Sequence, residues 1–140
     1  MNLTEFLARN RFSPHGSVIN TWDSFRADGA VLMQLWEGQL TRLRNPTAPT
    51  EYARIRCFES GRHDEKPIGK AGRLRAIAAI EGGALGLAVI SSPPSRQMRG
   101  PGVWAKHANL DRAYPIIRAE REHSGDVFVV VGLPVSLSRV

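Results

Sequence analysis

Three cations surround an indole in Arg96-Gln-Met-Arg99-Gly-Pro-Gly-Val-Trp104-Ala-Lys106-His107, just after a stretch rich in Pro and Ser. Guanidinium groups fork onto phosphate oxygens and an indole offers a flat face to a base, so this spacing suits a grip on a phosphate backbone. The same Trp104 would equally serve to anchor a long loop to the core. The segment belongs to a wider bias. Between Gly61 and Arg112 stand nine Lys/Arg against four acids, a surplus of +5 out of a formal +6 for the whole chain. The first sixty residues hold seven bases and six acids, and the last twenty-eight hold three of each. A charge excess confined to one third of a chain marks a surface for an anionic partner, with nucleic acid (DNA or RNA) the leading class. The expected contacts are Arg73, Arg75, Arg96, Arg99, Lys106 and Arg112 on phosphate, with Trp104 stacking. Arg73 and Arg75 read as the first turn of a helix, where cations are disfavoured unless an anion docks at that end.

Two further sets of residues suit the same chemistry. Trp22 and Trp36 fall in a hairpin with Asn20, Asp23 and Gln34 interleaved. Indoles pack cores and cross-strand pairs, and they also line cavities or stack on bases. Amides and a carboxylate read base edges, or cap turns and face water. Arg54 and Arg56 alternate with Ala53, Ile55 and Cys57, and share their strand face with Tyr52 and Phe58. That pattern fits either a single-strand-binding sheet or a solvated face whose arginine stems lie along apolar surface.

No catalytic motif accompanies them. The chain lacks a Gly-x-Ser-x-Gly elbow, a Walker-type loop and a dinucleotide glycine pattern. His63-Asp64-Glu65-Lys66 faintly resembles the end of a metal-dependent nuclease motif, but it falls in a loop and reads as solvated charge. His15, His63, His107 and His123 have no metal-ligand spacing, so no catalytic residue, metal or cofactor is assigned. The single cysteine, Cys57, excludes an internal disulfide and reads as a small buried residue on a strand.

The elements that must position these residues follow from periodicity. A chain of 140 residues with 42% hydrophobic and 23% charged content is one globular domain, 1–140. Its apolar runs are too short to span a bilayer and its first residues do not form a secretory signal, so a cytoplasmic protein is expected. Leu3–Asn10 reads as a helix. Val18–Phe25 and Ala30–Glu37 read as a hairpin around Asp28-Gly29, the second strand apolar on both faces and therefore central. Glu51–Glu59 is a third strand, and Ser60–Gly72 an exposed loop. Arg73–Glu81 is a helix with Leu74, Ile77 and Ala78 as its buried stripe. Leu85–Ser91, Tyr114–Glu122 and Val127–Leu133 are strands, and Ser92–Gly102 is a surface loop with no apolar period. This order predicts an α+β fold, a curved and mostly antiparallel sheet or small β-barrel with two short helices.

At the hairpin a resemblance enters. Asn20-Thr-Trp22-x-Ser24-Phe25-x-x-Asp28-Gly29-x-Val31-Leu32-Met33-Gln34-Leu35-Trp36 is similar to the opening of small uncharacterised bacterial proteins with a Trp…Asp-Gly…Leu-Trp hairpin. In these a helix resembling Arg73–Gly83 leads into a strand resembling Leu85–Ile90. The resemblance implies a PUA-like barrel and an association with restriction-modification or defence, and it carries no catalytic residue. The Gly-x-Lys-x-x-Glu-x-Arg motif of the related ASCH domains is absent. The leading expectation is a non-enzymatic nucleic-acid-binding module. A protein-interaction or inhibitor module for an acidic partner and a small enzyme on an anionic, nucleotide-like substrate remain open beside it.

Overall fold

The computed structural model describes residues 3–16, 22–45, 47–61, 67–91 and 112–136. Helix α1 (Leu3–Asn10) buries Phe6 and Leu7 and turns Glu5, Ala8 and Arg9 outward. It closes at Arg11, whose φ of 61° lets the Phe12 amide donate to the Leu7 carbonyl at 3.0 Å and stacks Phe12 on Phe6 at 6.1 Å. A short β1 (Ser13–Pro14) then pairs with β2 (Asp23–Phe25), which turns back into β3 (Val31–Trp36).

The Asp28-Gly29 turn is where the sequence placed it. Gly29 has a φ of +93°, the Arg26 amide donates to the Ala30 carbonyl at 3.0 Å, and the Asp28 carboxylate accepts from the Ala30 amide at 3.1 Å. The first strand of the hairpin is described only from Asp23 to Phe25, since 18–21 lie outside the described residues.

After a 3₁₀ turn at Glu37–Gln39 come β4 (Leu40–Asn45) and β5 (Ala48–Phe58). Strand β4 was not expected: it pairs on one side only, at the end of the sheet, and edge strands need little apolar alternation. Helix α2 spans Pro67–Glu81 and so begins six residues before the expected start. Proline suits the first helical position, and the glycines that read as loop lie on the buried face. At Gly72 a Cβ would sit 3.1 Å from the His15 side chain, so any larger residue would need His15 to give by a few tenths of an ångström. The remaining strands are β6 (Gly86–Ser91), β7 (Arg112–Arg121), β8 (Val127–Gly132) and β9 (Val135–Ser136). The proposed Ser92–Gly102 loop lies outside the described residues.

The strands follow the order β1-β2-β3-β6-β7-β8-β5-β4, with β9 added beside the start of β7. Every pairing is antiparallel except β3–β6, which is parallel. The fold is thus α+β with a mostly antiparallel sheet, as expected. The described strands form an open sheet with β1 and β4 at its two ends rather than a closed barrel. Among the described residues no helix is long and apolar enough to cross a membrane.

Helix α2 lies against β2, β3 and β7. The core under it joins Ala76, Ile77 and Ile80 to alternate residues of the strands: Val31, Met33 and Leu35 of β3, Ile55 of β5, and Val127, Val129 and Val131 of β8. Leu32, Leu87, Val89, Phe128 and Val130, on the opposite phase, are buried as well, so β3 is central and covered on both faces. The expected stripe of α2 is out of phase. Leu74 is 40% exposed and Ala78 is exposed, whereas Arg73, Ala76, Ile77 and Ile80 face inward.

Candidate nucleic-acid interface

The hairpin brings several of the expected aromatic and polar residues together, and α2 packs against one side of it. Strands β2 and β3 share a pleat, so Asp23 and Phe25 stand opposite Met33 and Val31 and face α2. Asp23 is buried there, and Arg73 reaches down from α2 to place its Nε 3.0 Å from Asp23 Oδ2. Arg73 Nη2 donates to the Gln34 carbonyl at 2.9 Å, while the Gln34 amide donates to the Trp22 carbonyl at 2.9 Å. One guanidinium therefore ties β2, β3 and α2 together.

Arg73 is 6% exposed, which corrects its assignment to the basic surface: it is an interior tie, and its position six residues past Pro67 removes the helix-start argument. The sequence signal for this was Asp23, a carboxylate embedded in an apolar hairpin that needs a cation.

On the opposite phase of β2 and β3 from this tie, Trp22 and Trp36 meet edge to face with centroids 4.9 Å apart and rings inclined at 72°. Both indoles are partly exposed. With Gln34 and Leu35 they line a shallow depression open to solvent. Gln34 is only 5% exposed, and its Oε1 has no hydrogen-bond partner.

The other expected contacts separate into distinct environments. Arg75 is exposed on α2, its guanidinium 3.7 Å over the Phe25 ring with Nη1 3.3 Å from His15 Nδ1. Arg112 is exposed at the start of β7. Neither meets a carboxylate among the described residues. Arg96, Arg99, Trp104 and Lys106 lie outside the described residues, as does His63–Lys66.

Arg54 and Arg56 do not form a free basic stripe. Arg54 Nε bonds Glu120 Oε1 at 2.7 Å and Nη2 bonds Glu122 Oε1 at 3.2 Å, with the guanidinium 3.8 Å over Phe128. Arg56 bonds Gln39 Oε1 at 2.7 Å and lies 3.5 Å from Asp126 and 3.6 Å from Glu59. Arg118 extends this lattice to Glu51 at 2.7 Å and Glu120 at 2.9 Å. The hydrogen bond from Arg54 holds the Glu120 carboxyl below its ordinary range.

The aromatics expected beside these arginines have turned away. Register shifts between Glu51 and Ala53 and between Arg56 and Phe58 break the alternation at both ends, and Tyr52 packs on the core, stacked with Tyr114 at 5.3 Å. Bulges leave no single-sequence signal here, which is why the stripe was expected.

Cys57 lies near Arg73 and Asp23, half-buried against the core, and burial pushes its thiol up to about 11 from 9.0. A shift in this direction disfavours the thiolate at neutral pH. At pH 8 a disulfide reagent should label Cys57 roughly a hundredfold more slowly in the folded protein than in urea-unfolded chain, as two pKa units require. Equal rates would show an ionised, accessible thiol. Among the described residues no three His, Cys, Asp or Glu side chains converge as a metal site.

No family model, curated protein or solved structure matches this chain.

Proposed function

We propose that this protein binds single-stranded nucleic acid, without chemistry of its own, using the Trp22–Trp36 pair as a stacking surface beside a cluster of bases. One observation carries the reading. In the parallel pairing Trp36 stands opposite Ser91, the last described residue before the sequence that holds Arg96, Arg99 and Lys106, and Arg112 opens β7, the strand next to β6. The charge bookkeeping supports it. Arg26, Arg54, Arg56, Arg73, Arg118 and Arg121 each have a carboxylate partner, whereas exposed Arg75 and Arg112 have none among the described residues. Partly exposed indoles accept any base by its π-face, and uncompensated guanidinium groups supply the phosphate contacts.

Fluorescence anisotropy with random single-stranded DNA and RNA at two salt concentrations tests this. Trp36→Ala should weaken binding by about 1–3 kcal/mol, or 5- to 150-fold. Arg96→Ala and Arg99→Ala should each lower the slope of log K against log salt by about one. A parent protein that binds neither strand at low salt refutes the proposal.

A further inference from the structure

We infer that Arg75 and His15, on the α2 face of the hairpin, form a site for the terminal phosphate of a nucleic-acid strand, a phosphomonoester, in preference to the diesters of its backbone. The inference rests on the nucleic-acid reading above and names the group that this second face would hold.

It starts from a comparison among the arginines. Three guanidinium groups lie over phenyl rings among the described residues: Arg26 over Phe12 at 4.9 Å, Arg54 over Phe128 at 3.8 Å and Arg75 over Phe25 at 3.7 Å. The first two also hold a carboxylate, Arg26 that of Asp28 at 2.9 Å and Arg54 that of Glu120 at 2.7 Å. At Arg75 an imidazole nitrogen takes that place, with His15 Nδ1 3.3 Å from Nη1. Arg75 is exposed and meets no carboxylate among the described residues, so its charge is the one of the three left for a ligand to neutralise.

Both side chains are held in position by packing. The His15 amide donates to the Asp23 carbonyl at 3.1 Å, and its ring meets Phe25 edge-on at 6.1 Å with the planes inclined at 69°. Gly72 of α2 presses on the same ring, where a Cβ would come within 3.1 Å. One phenyl ring, Phe25, therefore seats both the imidazole and the guanidinium. Groups fixed before a ligand arrives lose little freedom on binding it. The Asp23 carboxylate, which faces the same helix, is already engaged by Arg73 at 3.0 Å.

The contact between the two side chains also sets the proton. A guanidinium only donates, so Nδ1 accepts and the neutral ring carries its N–H at Nε2. The pair thus offers guanidinium N–H groups and an imidazole N–H from adjacent side chains. That donor set separates two kinds of phosphate. A backbone diester has one charge on two free oxygens, which a single guanidinium fork satisfies. A terminal monoester carries about −1.5 to −2 at pH 7 on three oxygens, and the third is left for a second donor.

The test is fluorescence anisotropy with one internally labelled single strand bearing a 5′-phosphate, a 3′-phosphate or hydroxyl groups at both ends. One phosphorylated form should bind about tenfold more tightly than the hydroxyl form. Arg75→Gln and His15→Phe should each abolish that preference, and Arg112→Gln, which removes an equal charge elsewhere, should keep it. Arg75→Gln changes an exposed side chain, so the test is independent of any folding defect in His15→Phe. Equal affinities in the parent, a preference that survives Arg75→Gln, or one lost equally in Arg112→Gln would each overturn the inference. Salt-dependent binding with no end preference overturns it and leaves the nucleic-acid reading in place. An end preference at an affinity unchanged by Trp36→Ala sustains the inference and refutes the stacking surface. Binding of no strand overturns both.

Discussion

Asp23→Ala is expected to destabilise the protein by about 3–5 kcal/mol, enough to unfold much of it. The carboxylate is fully buried and Arg73 is 7% exposed in its side chain, so removing the acid strands a guanidinium in the core. Arginine has no neutral form to retreat to within the stable pH range. Partial compensation comes from Nη2, which keeps its bond to the Gln34 carbonyl, while Nη1 has no partner even in the parent. The companion variant Asp23→Leu with Arg73→Met should recover most of the loss, because replacing both charges by apolar groups is commonly neutral. Urea denaturation of the two variants measures this. A loss below about 1 kcal/mol for Asp23→Ala would show that the pair is not buried as described.

Ile77→Ala should cost about 2–5 kcal/mol, and Leu74→Ala within about 0.5 kcal/mol of nothing. Ile77 is 0% exposed and meets the β3 and β8 side chains beneath α2, whereas Leu74 is 40% exposed on the outer face. The two residues were equivalent members of one apolar stripe in the sequence. Their contrast in denaturation midpoint therefore measures the rotational phase of the helix directly, and equal losses would rotate α2 back to the expected phase.

That phase error shows where sequence reasoning stopped. The strands rich in Val, Ile and Leu were legible because burial on both faces writes itself as a continuous apolar run, as in Val31–Leu35 and Val127–Val131. The Asp28-Gly29 turn was legible because few residues accept its geometry. Helix α2 was not, because a charged residue occupies an inward position. Arg73 looks like surface until Asp23, fifty residues earlier, is known to lie beneath it. The same long-range pairing hides the fate of Arg54 and Arg56, whose carboxylates come from β7 and the turn before β8. Local periodicity can name a cation, but only the fold names its partner. For the candidate site, Trp22, Trp36 and Gln34 were all legible as residues of one hairpin, while the register that brings them together came only from the structure. That Gln34 would lack a partner was not.

Strand β8 sits between β7 and β5, and this placement bears on how the chain is made. During synthesis the ribosome adds about 70 residues between Phe58 and Val127, which takes roughly 4–14 s. Throughout that interval β5 has β4 on one side and an open row of main-chain donors and acceptors on the other. A nascent strand in that condition is an invitation to other nascent chains on the same message. Arg54 and Arg56, spaced through Tyr52–Phe58, keep the waiting edge hydrated and mutually repulsive until Glu120, Glu122 and Asp126 are synthesised and neutralise them. Replacing these two arginines by apolar residues would accordingly show itself less in the melting curve than in the fraction of newly made protein that stays soluble.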